Sequence, residues 1–294
     1  MLFAAIRHLG VVEPLSAEEI RSAVELALAE DVGAGDVTTL ATVPAETQAS
    51  AQMRARERLV VAGLGLAEAA FRQLSPAIQI QPRVVDGQSA LPGQVLLEIA
   101  GPARAILTAE RVALNFVQRL SGVATLTAEY VEAVRGTRAQ ILETRKTTPG
   151  WRRLEKFAVT CGGGRNHRFG LYDMVLIKDN HLAALRHAAP NAIAAAVRRA
   201  RERYPQLKVE VEADTLAQVG EALDARADLI LLDNMAPAQL REAVELCRGR
   251  AQTEASGGVN LGTVRAVAET GVDFISIGAL THSARAVDIG LDFE

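Results

Sequence analysis

The segment from Glu143 to His181 gathers Arg145, Lys146, Arg165, His167, Arg168, Lys178 and His181, with Glu143, Glu155, Asp173 and Asp179 to oppose them. Gly162-Gly163-Gly164 lies in its middle. Cations concentrated beside a flexible glycine turn suit a ligand with several negative charges. Arginine offers a planar fork to carboxylate or phosphate, and lysine a compact point charge. A solvated charged face is the plainer reading. It loses ground at Lys178, which ends the apolar run Met174-Val175-Leu176-Ile177. A lysine flanking a core is expensive unless it is used.

A second group is acidic. Glu212 and Asp233 each end a strand pattern, and Glu210 shares the parity of Glu212, which points it inward as well. Such carboxylates can pair with the cations. They can also hold Mg²⁺, directly or through water, because Mg²⁺ commonly takes one or two carboxylates plus substrate phosphates. A third group is Ser256-Gly257-Gly258 after one strand and Ser276-Ile277-Gly278-Ala279 after the next. Each alone is an ordinary glycine turn. On the last two strands of a barrel they match a phosphate cradle of backbone N–H groups. Arg111, in a helix before the barrel, reads by itself as a surface arginine. Cys161 reads as a small residue beside the glycines, and His181 as a scaffold residue.

The chain has 294 residues and a net charge of -3, so the basic cluster is a local feature of a mildly acidic protein. With aromatics at 4%, bulk-charge or base-stacking recognition of nucleic acid is excluded. The two cysteines, Cys161 and Cys247, have no zinc-like spacing and exclude a disulfide framework. A reducing cytoplasm is expected. The run Met1 to His8 is cut by Arg7 and His8 and lacks the apolar core of a signal peptide. No apolar run approaches the ~20 residues of a membrane span.

The elements that must position these groups follow from periodicity. Ser16 caps a helix expected to reach Leu28. Strand patterns cover Gln48 to Gly63, Ile78 to Val85 and Val95 to Ala100, with a helix ending near Leu74. Arg104 to Leu120 and Ala124 to Val134 read as two helices separated at Ser121-Gly122. Then strands and helices alternate. The strands are Gln140–Thr144, Met174–Lys178, Lys208–Glu212, Leu229–Asp233, Gln252–Ser256 and Phe274–Gly278. Helices are expected at Ala192–Tyr204, Leu216–Asp224, Pro237–Cys247 and Leu261–Thr270. This alternation implies parallel strands with helical crossovers. Charge, hydroxyl or glycine at each strand's C-terminal end favours a barrel, where those ends meet at one mouth.

These residues form long, ordered motifs. Thr144-Arg145-Lys146-Thr147-Thr148-Pro149-Gly150, Gly162-Gly163-Gly164-Arg165-Asn166-His167-Arg168, Ile177-Lys178-Asp179-Asn180-His181, Glu210-Val211-Glu212, Leu232-Asp233-Asn234 and Ala255-Ser256-Gly257-Gly258 resemble the quinolinate phosphoribosyltransferase family. The likeness runs nearly end to end. It includes the early Glu30-Asp31 to Thr38-Thr39 segment and Glu110-Arg111 to Leu114-Asn115.

The resemblance implies an α/β protein: an incomplete α/β (TIM-like) barrel of parallel strands, residues 116–280, preceded by an N-terminal α/β sandwich, residues 1–115. The tail 281–294 is expected to pack back on the sandwich. The implied reaction joins quinolinate to phosphoribosyl pyrophosphate with Mg²⁺, giving nicotinate mononucleotide, pyrophosphate and CO₂ in NAD biosynthesis. The resemblance also implies a homodimer, or a larger assembly of dimers, in which Arg111 enters the partner's site. It assigns Arg145, His167, Arg168 and Arg111 to the quinolinate carboxylates, with Thr144 in the same site. Lys146 and Lys178 face carboxylate and pyrophosphate oxygens, and Glu212 and Asp233 hold the ribose hydroxyls and magnesium. Ser256, Gly257, Gly258, Ile277, Gly278 and Ala279 form the phosphate cradle. Lys146, Lys178, Glu212 and Asp233 are the expected catalytic set. The rivals are a phosphoribosyltransferase for another acidic ring such as nicotinate, and a non-catalytic phosphoribosyl-pyrophosphate sensor.

Overall fold

The computed structural model describes residues 14–294; the N-terminal run Met1 to His8 lies outside them. The chain divides into two compact units, and it passes from one to the other between Ala128 and Glu129, again after Thr147, after Gly163 and after His282.

One unit begins with α1 (Ala17–Val32), which runs one turn beyond the expected end. Ser16 caps it: its hydroxyl accepts the Glu19 N–H, and the Glu19 carboxylate takes the Ser16 N–H in return. The acidic glycine loop then leads into a short helix, α2 (Val37–Thr42), capped by Asp36. Next come β1 (Gln48–Ala55), β2 (Leu59–Val60), α3 (Leu64–Leu74), β3 (Gln79–Pro82), β4 (Ser89–Ala90) and β5 (Val95–Pro102). β1 and β5 pair antiparallel over most of their length, and β3 pairs with the other edge of β5.

The two helices expected on either side of Ser121-Gly122 are one. α4 runs from Ala103 to Ala133 without interruption, through the anticipated boundary at 115/116 as well. Gly122 is there for space, not for a break: a Cβ on it would lie 1.9 Å from the Arg285 carbonyl oxygen. Ser121, fully buried, bonds the Ala62 main chain through its hydroxyl.

The other unit holds a sheet of six parallel strands: β6 (Gln140–Leu142), β7 (Val175–Ile177), β8 (Val209–Ala213), β9 (Leu229–Asp233), β10 (Gln252–Ser256) and β11 (Phe274–Ser276). Between β6 and β7 the chain forms α5 (Arg152–Cys161), a helix absent from the sequence expectation, which belongs to the first unit. The crossovers are α6 (Asp179–Ala184), α7 (Ala192–Arg203), α8 (Leu216–Asp224), α9 (Pro237–Cys247) and α10 (Val264–Ala268). α10 occupies only the middle of the helix expected from Leu261 to Thr270. A short α11 (Ala279–His282) follows β11. Caps start several of these: Asn191 accepts the Ala194 N–H, Thr215 accepts the Gln218 N–H, and Pro237 opens α9.

Strand order makes the barrel. β7 to β11 lie side by side in chain order, and β11 then pairs with the first strand, β6. β6 and β7 do not pair, so the barrel is open along one seam. At that seam Arg165 forms a parallel bridge to Leu142. Its N–H donates to the Ile141 carbonyl at 2.8 Å, and its own carbonyl accepts the Glu143 N–H. The glycine segment thus lays the Arg165–Arg168 backbone along the free edge of β6. Leu142, Leu229 and Phe274 pack together in the core of this unit.

The C-terminal strand β12 (Ile289–Phe293) returns to the first unit and pairs antiparallel with β1, giving the sheet order β12-β1-β5-β3.

Candidate active site

The C-terminal ends of the parallel strands carry the chemistry. β6 leads into Thr144-Arg145-Lys146. The Thr144 hydroxyl accepts the Lys146 N–H at 3.1 Å, tightening the turn. Thr281 Oγ1 donates to the Lys146 carbonyl at 2.8 Å. A Cβ on Gly278 would stand 3.0 Å from Lys146 Cδ, so the loop after β11 and the lysine after β6 are immediate neighbours. No sequence pattern singles out Thr281; its contact is visible only once β11 lies beside β6.

β7 ends at Lys178, whose N–H donates to His181 Nδ1 at 2.9 Å. His181 is therefore scaffold, as the sequence suggested. Lys178 Nζ is ion-paired to the Glu212 carboxylate at the end of β8. Glu212 is nearly buried, whereas Lys178 is half-exposed. Asp233 ends β9 and lies opposite Ser256 in register. Burial, then the charge of Glu212, raises the Asp233 carboxyl above its ordinary range, and a hydrogen bond from Asn234 Nδ2 at 2.7 Å pulls the other way. Asn234, at φ +54°, also donates its N–H to the Ser256 carbonyl at 2.9 Å. It ties the acid at the end of β9 to the glycine loop after β10.

The two acids fit magnesium by their chemistry. Both are hard oxygen donors at adjacent regions of one strand-end surface, and their mutual repulsion at Asp233 is relieved by a cation.

The cationic side of this surface centres on Arg145 and Arg168. Neither makes an ion pair among the described residues, and Arg145 Nε is buried without a hydrogen-bond partner there. Burial, followed by the neighbouring Arg145 charge, lowers the Arg168 proton affinity. Arg168 Nη1 donates to the Met174 carbonyl at 3.3 Å. Glu210 and Asp173 offset part of the lowered proton affinity at Arg168, and the unbonded Arg145 Nε leaves a guanidinium donor that can take an anion.

His167 sits differently from the expectation that it grips a carboxylate. Its ring is 8% exposed, and both nitrogens are engaged within the chain. Nδ1 accepts the Arg168 N–H at 2.8 Å. Nε2 faces Glu210 Oε2 at 3.1 Å and Glu254 Oε2 at 3.3 Å. The His167 N–H donates to Glu143 Oε1 at 2.8 Å. Glu254 was not among the sequence candidates. The signal was there: it has the inward parity of Ser256, two residues on.

Arg111 is exposed on α4. Cys161 is inert as a nucleophile: burial, then the charge of Asp86, pushes its thiol up to about 12. A cleft of about 410 Å³ borders Arg138, Arg248, Arg250, Asp228 and Asp273, at the N-terminal ends of the strands. Its arginines are paired, Arg138 with Asp273, Arg248 with Glu245 and Arg250 with Asp224. In barrels that end serves stability, not catalysis.

Comparison with known proteins defines first a class, the phosphoribosyl-transferring enzymes built on this open barrel. The structure of the nicotinate-nucleotide pyrophosphorylase from Francisella tularensis superposes with a TM-score of 0.91 at 36% identity, covering 98% of this chain and all of that one. A nicotinate-nucleotide pyrophosphorylase [carboxylating] of Mycobacterium leprae is 46% identical, over 92% of this chain and 96% of that protein. A quinolinate phosphoribosyltransferase [decarboxylating] of Nicotiana tabacum is 43% identical, over 94% and 82%. The family models for the N-terminal and C-terminal domains of quinolinate phosphoribosyl transferase match residues 36–121 and 123–292. The chain belongs to the quinolinate phosphoribosyltransferase family. No helix among the described residues is long and apolar enough to cross a membrane.

Proposed function

We propose that the chain transfers phosphoribose from phosphoribosyl pyrophosphate to quinolinate with loss of CO₂, forming nicotinate mononucleotide and pyrophosphate for NAD synthesis. The observation that carries the substrate assignment is the pair Arg145 and Arg168, which repel one another and form no ion pair of their own among the described residues, with Arg145 Nε buried and unbonded there. Two guanidinium groups suit a dicarboxylate better than a monocarboxylate. Arg111 of a second copy in a homodimer adds a third cation.

On the other side, Lys146 and Gly278 stand together beside the turn after β11, and Gly257 and Gly258 form the turn after β10. These groups receive the 5′-phosphate and the pyrophosphate oxygens. Gly257 and Gly258 both have positive φ, which frees their N–H groups to face an anion. Glu212 and Asp233 hold the ribose hydroxyls and would hold Mg²⁺, which neutralises charge on the departing pyrophosphate. As the bond from ribose to pyrophosphate breaks, the sugar gains oxocarbenium character, and these carboxylates stabilise it. Lys178, paired with Glu212 in this structure, faces the ring carboxylate and the pyrophosphate. The quinolinate nitrogen attacks the sugar. The adjacent carboxylate departs as CO₂; the bonding pair stays on the ring carbon, stabilised by the cationic nitrogen beside it, and a proton from water takes the place of the lost carboxyl group. The two free cysteines suit a reducing cytoplasm.

The test offers the purified chain quinolinate or nicotinate with phosphoribosyl pyrophosphate and Mg²⁺, and follows nucleotide formation. Turnover with quinolinate is expected. Turnover with nicotinate alone would favour the rival transferase, and binding of phosphoribosyl pyrophosphate without turnover would favour a sensor.

A further inference from the structure

Strands β6, β8 and β10 alternate around the barrel, and alternate strands of such barrels contribute one interior layer, normally of branched aliphatic side chains. Here β8 and β10 contribute Glu210 and Glu254, and Glu143 lies just past the end of β6. All three are 0% exposed. Glu210 Oε1 and both carboxylate oxygens of Glu254 have no hydrogen-bond partner among the described residues, so Glu254 acts on the His167 ring by charge at 3.3 Å while Glu210 Oε2 makes the hydrogen bond. Buried carboxylates held this way weaken a fold compared with an apolar layer. Their presence calls for a functional reason.

His167 supplies the link. It enters through the open seam of the barrel on the segment bridged to β6. Glu143 fixes its backbone, and Glu210 and Glu254 flank its Nε2. Because Nδ1 accepts the Arg168 amide, the ring proton is on Nε2, between the two carboxylates. That tautomer leaves Nε2 no lone pair for a metal ion, although the ligating atoms of His167, Glu210 and Glu254 lie within 4.8 Å of one another.

We propose that Glu210 and Glu254 are positioning residues for recognition of the substrate carboxylates: they hold the His167 ring from Nε2, so that its Nδ1 fixes the Arg168 backbone and aims the Arg168 guanidinium beside Arg145. The carboxylates act through the histidine and do not touch substrate. The inference rests on the reading of Arg168 as a quinolinate clamp.

The experiment compares the full-length enzyme with Glu254→Gln, Glu210→Gln and Arg168→Ala, with Mg²⁺ and either substrate saturating in turn. Glutamine keeps the volume and removes the charge that orients the Nε2 proton. Glu254→Gln and Glu210→Gln are expected to raise the KM for quinolinate by about tenfold to a hundredfold, with the KM for phosphoribosyl pyrophosphate within about twofold and the thermal midpoint nearly kept. Glu254→Asp, which keeps the carboxylate, is expected to recover part of the loss. A variant that turns over too slowly is read by calorimetric titration of quinolinate, where the same selective weakening is expected. Unchanged quinolinate KM in both glutamine variants, with Arg168→Ala raising it, overturns this inference and leaves the clamp reading standing. An equal fall for both substrates also overturns it, since that is what a merely structural role gives. Arg168→Ala with unchanged quinolinate KM removes the clamp reading itself, and this inference with it.

Discussion

Gly257 lies so close to Asn234 that a Cβ built on it would stand 2.2 Å from Asn234 Oδ1 and 2.9 Å from its backbone nitrogen. The glycine has φ +95°. The same asparagine bonds Asp233 and caps the Ser256 carbonyl. Acid and glycine loop are therefore tied by one asparagine, its side chain on the acid and its backbone on the loop, packed against one glycine. Gly257→Ala should raise the KM for phosphoribosyl pyrophosphate by tenfold or more. It should cost about 1–3 kcal/mol of stability, from the strained backbone. Steady-state kinetics and thermal melts check both. An unchanged KM would mean that the asparagine does not hold the two ends together.

Lys178 and Glu212 pair across the ends of β7 and β8. Lys178 is half-exposed and Glu212 nearly buried, which leaves the lysine end open to a ligand. Glu212→Gln should lower kcat by about 10²–10³-fold, with a melting temperature close to wild type. A kcat within threefold of wild type would exclude Glu212 from stabilising the sugar cation.

Gly122 tests packing without catalysis. Its missing Cβ makes room for the Arg285 carbonyl. Gly122→Ala should yield little folded protein, since the obstacle is backbone and cannot swing aside. Gly136, at φ +82° with nothing within 4 Å, is the control. Gly136→Ala should cost only ~1 kcal/mol of backbone strain. Equal expression and melting of the two variants would contradict the close approach at Gly122.

Arg111 is exposed on α4, and a role across a dimer interface gives a specific expectation. Inactive Arg111→Ala mixed with inactive Lys146→Ala should regain activity through mixed dimers with one intact site. No recovery after demonstrated subunit exchange would place Arg111 outside the partner's site.

Much of this was legible in the sequence because the barrel repeats. β7, β9 and β11 announce themselves by apolar runs, β8 by alternation, and a charged, hydroxyl or glycine residue stands at or just past the end of each strand. Where reading failed, the cause was tertiary. Gly122 resembles a helix break, yet the helix continues because Arg285 needs its space. The inward parity expected for Glu210 and Glu212 holds; what their alternation with valines did not reveal is that every residue of β8, on both faces, is buried. The polar face points into the barrel, towards His167 and Lys178, not to water. His167 resembles a clamp because it adjoins Arg168. Its burial, and the carboxylates on non-adjacent strands that surround it, appear only when β8 and β10 are brought to the same interior layer. The helix α5 was hidden by the charged run Trp151-Arg152-Arg153 that opens it.

The central claim is the joining of a dicarboxylate ring to phosphoribose with loss of one carboxyl group. Quinolinate labelled in the carboxylate beside the ring nitrogen tests it most directly, in an incubation with phosphoribosyl pyrophosphate and Mg²⁺ that counts labelled CO₂, pyrophosphate and nucleotide together. The account predicts one labelled CO₂ for every pyrophosphate and every nicotinate mononucleotide. Pyrophosphate release with the label retained in the nucleotide, or no turnover of quinolinate at all, would contradict it.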